Sequence, residues 1–547
     1  MFNASTESIL KNFPFETPRE GQVEIVKFIL DSFDAGKKFV AIEVPCGGGK
    51  SAIALAVAKF FKDSYYLTIQ KILQDQLTNE FGEGGKFSNL LVDLKGRNAY
   101  ECTYYRLNAE RLKAKKIITL QQYHQYKERK YDCAEGYCRS HGSEHALNEC
   151  KATSACPYLN QLEKAMNSDL CLMNFAGFLA QTTFTDRFNP RQLMILDEAH
   201  NIESQLLSFI SATLSERDFD IVFPQFDLPE EYAEWFDKSG IIEKLQAKIR
   251  EALYADDPKR ADEFVSLKQK MEWFISEMTK EDHDPWICEY AQTDRGVKLT
   301  LKPVYIKSQA RKYLFNMADY VLMMSATILN VNVMARSLGI EKHEIAAKRT
   351  NSRFPVENRP IYYQPVVKVT GGKNQMHVWG PPIIEATQEI IRKYPDKKGI
   401  IHTHNFAIAQ MLMDNCDPEI ESRLLFQKNF GSKNEMLEVH GASKNTIIVA
   451  PAMHEGLDLV GDLSRFQIIC KVPFPNFYED KQLAARKDDD PQFYDWLTAL
   501  KLVQSAGRSI RSNKDWADTY ILDQAFGWWY EQNKGMIPIW FKEAIIR

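Results

Sequence analysis

The sequence predicts an α/β chain of two sheet-centred units, the first interrupted by two insertions. Three observations point there. Apolar runs that stop abruptly at glycine, acidic or hydroxyl residues recur at 40–51 (VAIEVPCGGGKS), 193–200 (LMILDEAH) and 320–327 (YVLMMSAT), the pattern of buried parallel strands with polar carboxyl ends. A second series, GIIHTH, TIIVAP and FQIICKVPF, starts after about residue 345 and alternates with helical segments. Between members of the first series lie a cysteine-rich stretch and a run of helical periodicity.

Length and composition narrow the class. A chain of 547 residues holds three or four domains. Its net charge of -4 leaves no bulk basicity, so a polyanion has to bind along a local basic path. The N-terminal stretch lacks the basic and continuous apolar segments of a signal peptide, and the longest uncharged run, about 320–335, is too short and polar to span a bilayer. The expectation is an intracellular, cytoplasmic protein without membrane contact. Five cysteines, Cys102, Cys133, Cys138, Cys150 and Cys156, fall in one window, which inside a reducing compartment reads as a metal or iron-sulfur site before disulfides. Cys46, Cys171, Cys288, Cys416 and Cys470 stand singly, as core filler does.

Taken in order, Arg19 and Gln22 sit at the mouth of a helical segment upstream of the glycine loop, where they suit an adenine edge or helix capping. In the loop, Pro45, Cys46, Gly47, Gly48 and Gly49 let backbone N–H groups turn inward around a phosphate chain, and the helix that follows adds positive charge. Lys50 then reaches the β- and γ-phosphates, and Ser51 offers its hydroxyl to Mg²⁺. Val44 departs from the usual pattern, which begins with Gly or Ala; a plain glycine turn is the competing reading. SYYLTIQKILQDQL gives a strand ending at Thr68 and then a helix, a step that presents hydroxyls to a nucleic-acid backbone. A basic stretch beside the cysteines, including Lys113, Lys127 and Arg129 interleaved with Tyr123 and Tyr126, reads as a solvated face or a DNA contact.

The DEAH strand ends on Asp197, placed to hold Mg²⁺ through water, and Glu198, placed to polarise the water that attacks the γ-phosphate. Residues 201–303 read as two antiparallel amphipathic helices, one carrying Ile242 to Leu253 and the other Phe264 to Met278, followed by a hairpin turning near Gly296. Ser325 and Thr327 end a strand, where they couple the γ-phosphate to strand movement or merely cap it. Glu455 and Asp458 lie in a polar loop after TIIVAP. In the last helix Gln504, Arg508 and Arg511, spaced i, i+4, i+7, share one face that suits a phosphate.

In the order EVPCGGGKS, KGRNAYEC, CPY, DEAH, MSAT, HEGLD and QSAGRSIR, spread over almost the whole chain, the sequence resembles superfamily-two helicases of the iron-sulfur branch typified by XPD and DinG. The resemblance implies two RecA-like P-loop motor domains using ATP and Mg²⁺, with a 4Fe-4S insertion and a helical arch in the first. It divides the chain into 1–94, 161–204 and 304–340 for the first motor domain, 95–160 for the cluster insertion, 205–303 for the arch and 341–547 for the second motor domain. It implies catalytic roles for Lys50, Asp197, Glu198, Gln504, Arg508 and Arg511, and places Glu455 and Asp458 where DNA binding joins the ATP cleft. For the cluster it implies Cys102, Cys138, Cys150 and Cys156, with Cys133 as the alternative ligand; zinc suits the spacing less well. It further implies 5′ to 3′ movement on single-stranded DNA and unwinding of forked duplex by a monomer, the metal cluster acting as nucleus of a segment too polar to pack its own core. A DEAH-type RNA helicase and an ATP-gated scaffold that grips without unwinding compete with this reading. The cysteine window argues against the first, and Glu198, Arg508 and Arg511 against the second.

Overall fold

The computed structural model describes the chain apart from residues 1, 3, 46, 70, 83–86, 88, 89, 117, 141–143, 154, 155, 186, 220, 256, 294, 295, 371–374, 452–458, 460, 478, 479 and 511–514. Its internal contacts divide into two units: Met1–Ala41, Ser51–Met324 and Ala335–Ala346 form the first, and Ile42–Lys50, Ser325–Met334 and Ala347–Arg547 the second.

The apolar runs become strands β1 (Phe39–Glu43), β2 (Ser64–Thr68), β3 (Leu91–Asp93), β4 (Leu170–Asn174) and β5 (Arg191–Asp197). Three more, β6 (Ala212–Ser215), β7 (Trp286–Thr293) and β8 (Gly296–Pro303), precede β9 (Ala318–Ser325) and β10 (Ile345–Arg349). Seven of these make one sheet in the order β10-β1-β9-β5-β2-β4-β3. Every residue of β1 and β2 is buried, Glu43, Ser64 and Thr68 included, as a sheet covered on both faces requires. Parallel pairing of β2 with β5 sets Tyr66 opposite Ile195 and Leu67 opposite Leu196, bringing Thr68 and Asp197 to the same carboxyl edge.

The two expected helices of the excursion after β5 are present, and among the described residues Ile202–Ile210, Glu216–Phe219 and Pro229–Ser239 add three more. Pro229–Ser239 precedes Ile241–Tyr254 and Pro258–Met278, which pack on each other through residues such as Leu245, Ile249, Phe264 and Met271. Prolines open two of the helices at the first turn, where a missing N–H costs nothing, and Gly240, at φ 66°, separates the first pair in a conformation that glycine adopts without penalty. The predicted hairpin is present as antiparallel β7 and β8, its turn at 294–295 lying outside the described residues. Strand β6 adds to β8, with Leu214 opposite Leu299; four residues were too short a run to stand out in the sequence.

The cysteine segment does pack a core of its own, contrary to expectation. Helix Thr103–Ala114 buries Tyr104, Tyr105 and Leu112, and the Tyr105 ring lies 4.3 Å from that of Tyr126 and 4.7 Å from that of Tyr131. Tyrosine supplies apolar ring area while looking polar in a charge-rich stretch, which is why the sequence hid it. Much of the basic stretch is neutralised locally: Arg111 pairs with Glu149, Lys127 with Glu110 at 3.3 Å, Arg129 with Glu135 at 3.2 Å, and Lys113 lies 4.2 Å from the Tyr123 ring centre.

The second unit carries β11 (Ile361–Val367), β12 (Gly399–His402), β13 (Leu424–Phe426), β14 (Ile447–Ala450), β15 (Phe466–Ile469), β16 (Asp518–Asp523) and β17 (Ile545–Ile546), in the order β13-β14-β12-β15-β16-β11-β17. Its strand pairings are parallel. Ile401, Ile447, Val449 and Ile468 face one apolar core, while Ile400, Ile448 and Ala450 face the other, the two-residue alternation of a sheet buried on both sides. Strands β11, β13, β16 and β17, and helix Ala525–Asn533 after the segment read as the last helix, were not anticipated. Among the described residues no helix is long and apolar enough to cross a membrane.

Candidate nucleotide site and cysteine cluster

Each glycine of the loop has a separate reason. Gly47 and Gly49 adopt φ 75° and 77°, in the left-handed region that side chains disfavour. A Cβ on Gly48 would lie 2.3 Å from Val44 Cγ1 and 3.0 Å from the Pro45 carbonyl, so Val44 takes the space that a side chain at 48 would need. The departure at Val44 and the extra glycine are therefore one compensated change. Lys50 opens helix Lys50–Ala58, and Ser51 follows it. Cys46 lies outside the described residues.

The strand before the loop holds a residue that the motif reading passed over. Glu43, 5% exposed, accepts the N–H of Ile328 at 3.1 Å and of Leu329 at 2.6 Å and pairs with Arg349 Nε at 2.9 Å. Burial raises its pKa and Arg349 opposes that shift. Leu329 sits at φ 61°, an uncommon conformation for a branched residue, so Glu43 pins a strained turn just after the SAT residues. An acid in an otherwise apolar strand was the available signal.

Asp197 ends β5 with 6% exposure, and its Oδ1 accepts the N–H of Glu198 at 3.0 Å. Glu198 has φ 51°, and its Oε2 lies 3.5 Å from His200 Nδ1. A non-glycine residue in that region costs about 1–3 kcal/mol and is typical of functional turns. Thr68 is fully buried at the end of β2. Ser325 Oγ accepts the Thr327 N–H at 3.0 Å, and Thr327 Oγ1 accepts from Gln504 Nε2 at 3.2 Å within the second unit.

One expectation changes. Helix Pro491–Ala506 ends before Arg508, with Gly507 as its cap and the Gly507 N–H closing on the Val503 carbonyl; Gln504 and Arg508 thus do not share a helical face. Glycine at the C-cap stops the i, i+4 extrapolation. The Arg508 charge acts on Lys433, which burial and that charge hold below the ordinary lysine pKa. Glu455, Asp458 and Arg511 lie outside the described residues. At the N-terminal helix Gln22–Asp34, Gln22 is buried and its Oε1 accepts the Arg19 N–H at 2.7 Å, tying the preceding segment to the helix start, while the N-cap, Gly21, has no side-chain cap.

The five clustered cysteines come together. Cys133 Sγ lies 3.9 Å from Cys156 Sγ and also neighbours Cys102, while Cys138 pairs with Cys150. A hydrogen bond from Cys133 eases Cys156 down to about 6, helped by the N–H groups of Leu159 and Tyr158 and by Arg97; a hydrogen bond from Cys150 brings Cys138 to about 6, again beside Arg97. Their partners shift upward. Arg97 itself stacks 4.4 Å from the Tyr158 ring centre, fixing a cation next to the sulfurs. Among the described residues no three His, Cys, Asp or Glu side chains are set to hold a single metal ion. The thiols nevertheless fit an iron-sulfur cluster in kind and number, with guanidinium charge to balance thiolates. Cys171, Cys416 and Cys470 are buried as filler.

A parallel sheet with a glycine loop after β1 and acids after β5, joined in the same chain to a second parallel sheet, defines a P-loop protein with two RecA-like sheets. The family models agree: DEAD_2 matches residues 93–219, and the helicase C-terminal domain matches 387–544. Two curated relatives are both named ATP-dependent DNA helicase CHL1: that of Candida albicans is 30% identical over 115 residues, 18% of this chain and 13% of that protein, and that of Debaryomyces hansenii is 28% identical over 128 residues, 20% and 16% respectively. The matches thus span less than a fifth of either relative's length. A solved XPD helicase structure covers 95% of this chain and 99% of its own at a TM-score of 0.64 and 13% identity, which speaks to the fold. The chain belongs to the XPD/DinG-like superfamily-two helicases.

Proposed function

We propose that the protein is an ATP-dependent DNA helicase that moves 5′ to 3′ on single-stranded DNA and opens forked duplex as a monomer. The observation that carries the reading is the carboxyl edge of the first sheet, where Asp197 and the strained Glu198 end β5, with Ser51 acting on the same buried Tyr66 as these acids. Ser51 and Asp197 would hold Mg²⁺, which supplies charge neutralisation for the phosphates. Lys50 and the loop N–H groups bind the β- and γ-phosphates; Glu198 orients the attacking water and takes up its proton as the bond to the leaving ADP breaks. The resemblance gives Gln504, Arg508 and Arg511 the role of answering the γ-phosphate charge, and within the second unit the Gln504–Thr327 hydrogen bond ties the SAT turn to that helix. Thr68 and Ser325 serve coupling and strand contact, and Glu455 and Asp458 link them to the nucleotide.

Cys102, Cys138, Cys150 and Cys156, with Cys133 as alternative, would hold a 4Fe-4S cluster that stiffens the insertion. The convergence of all five thiols beside Arg97 supports this. The test is ATP-dependent unwinding of 5′-tailed against 3′-tailed duplex, with Lys50→Ala alongside. Unwinding of the 5′-tailed substrate alone, lost together with ATP hydrolysis in Lys50→Ala, is expected; hydrolysis persisting in that variant overturns the assignment.

A further inference from the structure

We propose that Tyr66 is a positioning residue of the phosphate-cleaving site, its buried hydroxyl holding Asp197, directly or through a water, in the orientation that grips the divalent cation. This rests on the nucleotide reading above and names a residue that the motifs do not contain.

Tyr66 lies in the middle of β2, opposite Ile195, two residues short of Asp197 on the neighbouring strand. Its side chain is fully buried, and its Oη approaches the Ser51 hydroxyl without completing a well-formed hydrogen bond there or elsewhere among the described residues. The adjacent Tyr65 is a useful contrast: its hydroxyl donates to the Asn189 carbonyl at 2.7 Å. A buried phenol without a well-formed hydrogen bond costs stability that phenylalanine of nearly the same shape would avoid, so the hydroxyl at 66 asks for a function. The polar groups acting on it are the Ser51 hydroxyl and the carboxylates of Asp197 and Glu198, the residues expected to surround Mg²⁺ and the attacking water. A phenol O–H is a donor, and Asp197, two residues along the paired strand on the same face of the sheet, offers carboxylate oxygens as acceptors. A donor beside a ligating carboxylate is what orients such ligands, since Mg²⁺ sites keep waters and bind through one or two carboxylates that outer hydrogen bonds hold in place.

The test is Tyr66→Phe in the full chain. Affinity for a fluorescent ATP analogue in EDTA should stay within twofold of wild type, and the melting temperature of the nucleotide-free protein should not fall. Mn²⁺ affinity of the complex with a non-hydrolysable ATP analogue, read by electron paramagnetic resonance, should weaken by about 10- to 100-fold, the usual loss when an outer partner of a metal ligand is removed. Mn²⁺ affinity within twofold of wild type overturns the inference and leaves Tyr66 as a packing residue. Failure of wild type itself to bind Mn²⁺ with nucleotide removes the nucleotide reading instead, so the two failures are distinct.

Discussion

Val44 and Gly48 are each odd against the usual phosphate-loop pattern, and only their separation in space explains both. With Val44 Cγ1 2.3 Å from where a Cβ on Gly48 would stand, Gly48→Thr forces the loop apart. We expect Gly48→Thr to lower ATP affinity more than tenfold and the double change Val44→Gly with Gly48→Thr to recover most of it, measured by nucleotide titration; independent, additive losses would refute the pairing. A second residue sets a pH limit. His440, 1% exposed, donates from Nε2 to the Leu463 carbonyl at 2.8 Å and accepts at Nδ1 from Thr446 at 2.9 Å, so it is held neutral. Burial lowers its pKa, so the unfolded chain takes up the proton first. Stability from this site is intact above the unfolded value of about 6.5 and is lost as pH falls below it. Urea midpoints at pH 7.5 and 5.5 should show the decline, and His440→Gln should flatten it. None of this was legible beforehand: the glycines and Lys50 announced a loop, but a side chain's partner 4 or 23 residues away depends on the turn between them.

Among elements, the buried strand β1 and the turn after β9 are joined by Glu43. Its carboxylate is satisfied by two N–H groups and by Arg349, and removing one partner strands a charge. Arg349→Ala should cost about 2–3 kcal/mol, toward the low end for buried pairs because Arg349 remains partly solvated. Adding Glu43→Gln should restore part of that, as denaturant midpoints will show; a double variant no better than the single one would count against the clamp. The elements most readable in the sequence were those with unbroken apolar runs, such as β1, β2, β5 and β9. Shorter or mixed strands, β6, β13 and β17 among them, escaped because two to four residues carry no period of their own. The last predicted helix was overextended for the opposite reason: the spacing of Gln504 and Arg508 continued smoothly across Gly507, where the backbone hydrogen-bond ladder stops.

At the scale of the whole molecule, the proposed function asks a chain with net charge -4 to concentrate its cations locally in order to bind DNA. Affinity for single-stranded DNA should therefore fall about tenfold or more between roughly 50 and 200 mM salt, with a slope near -0.7 per phosphate contacted, in a fluorescence anisotropy titration. A flat dependence would contradict backbone binding. The sequence alone determined the two-sheet α/β plan and singled out Lys50, Ser51, Asp197 and Glu198 as candidates, because strand burial and glycine loops leave local signatures that neighbouring residues spell out. Tertiary structure alone decided that Tyr66 is buried on the strand paired with the one ending in Asp197, that Glu43 steadies the SAT turn, that tyrosines form the core of the cysteine segment and that five cysteines meet. Those are contacts between residues far apart in the chain, fixed by register and packing, and no local pattern of residue types encodes them.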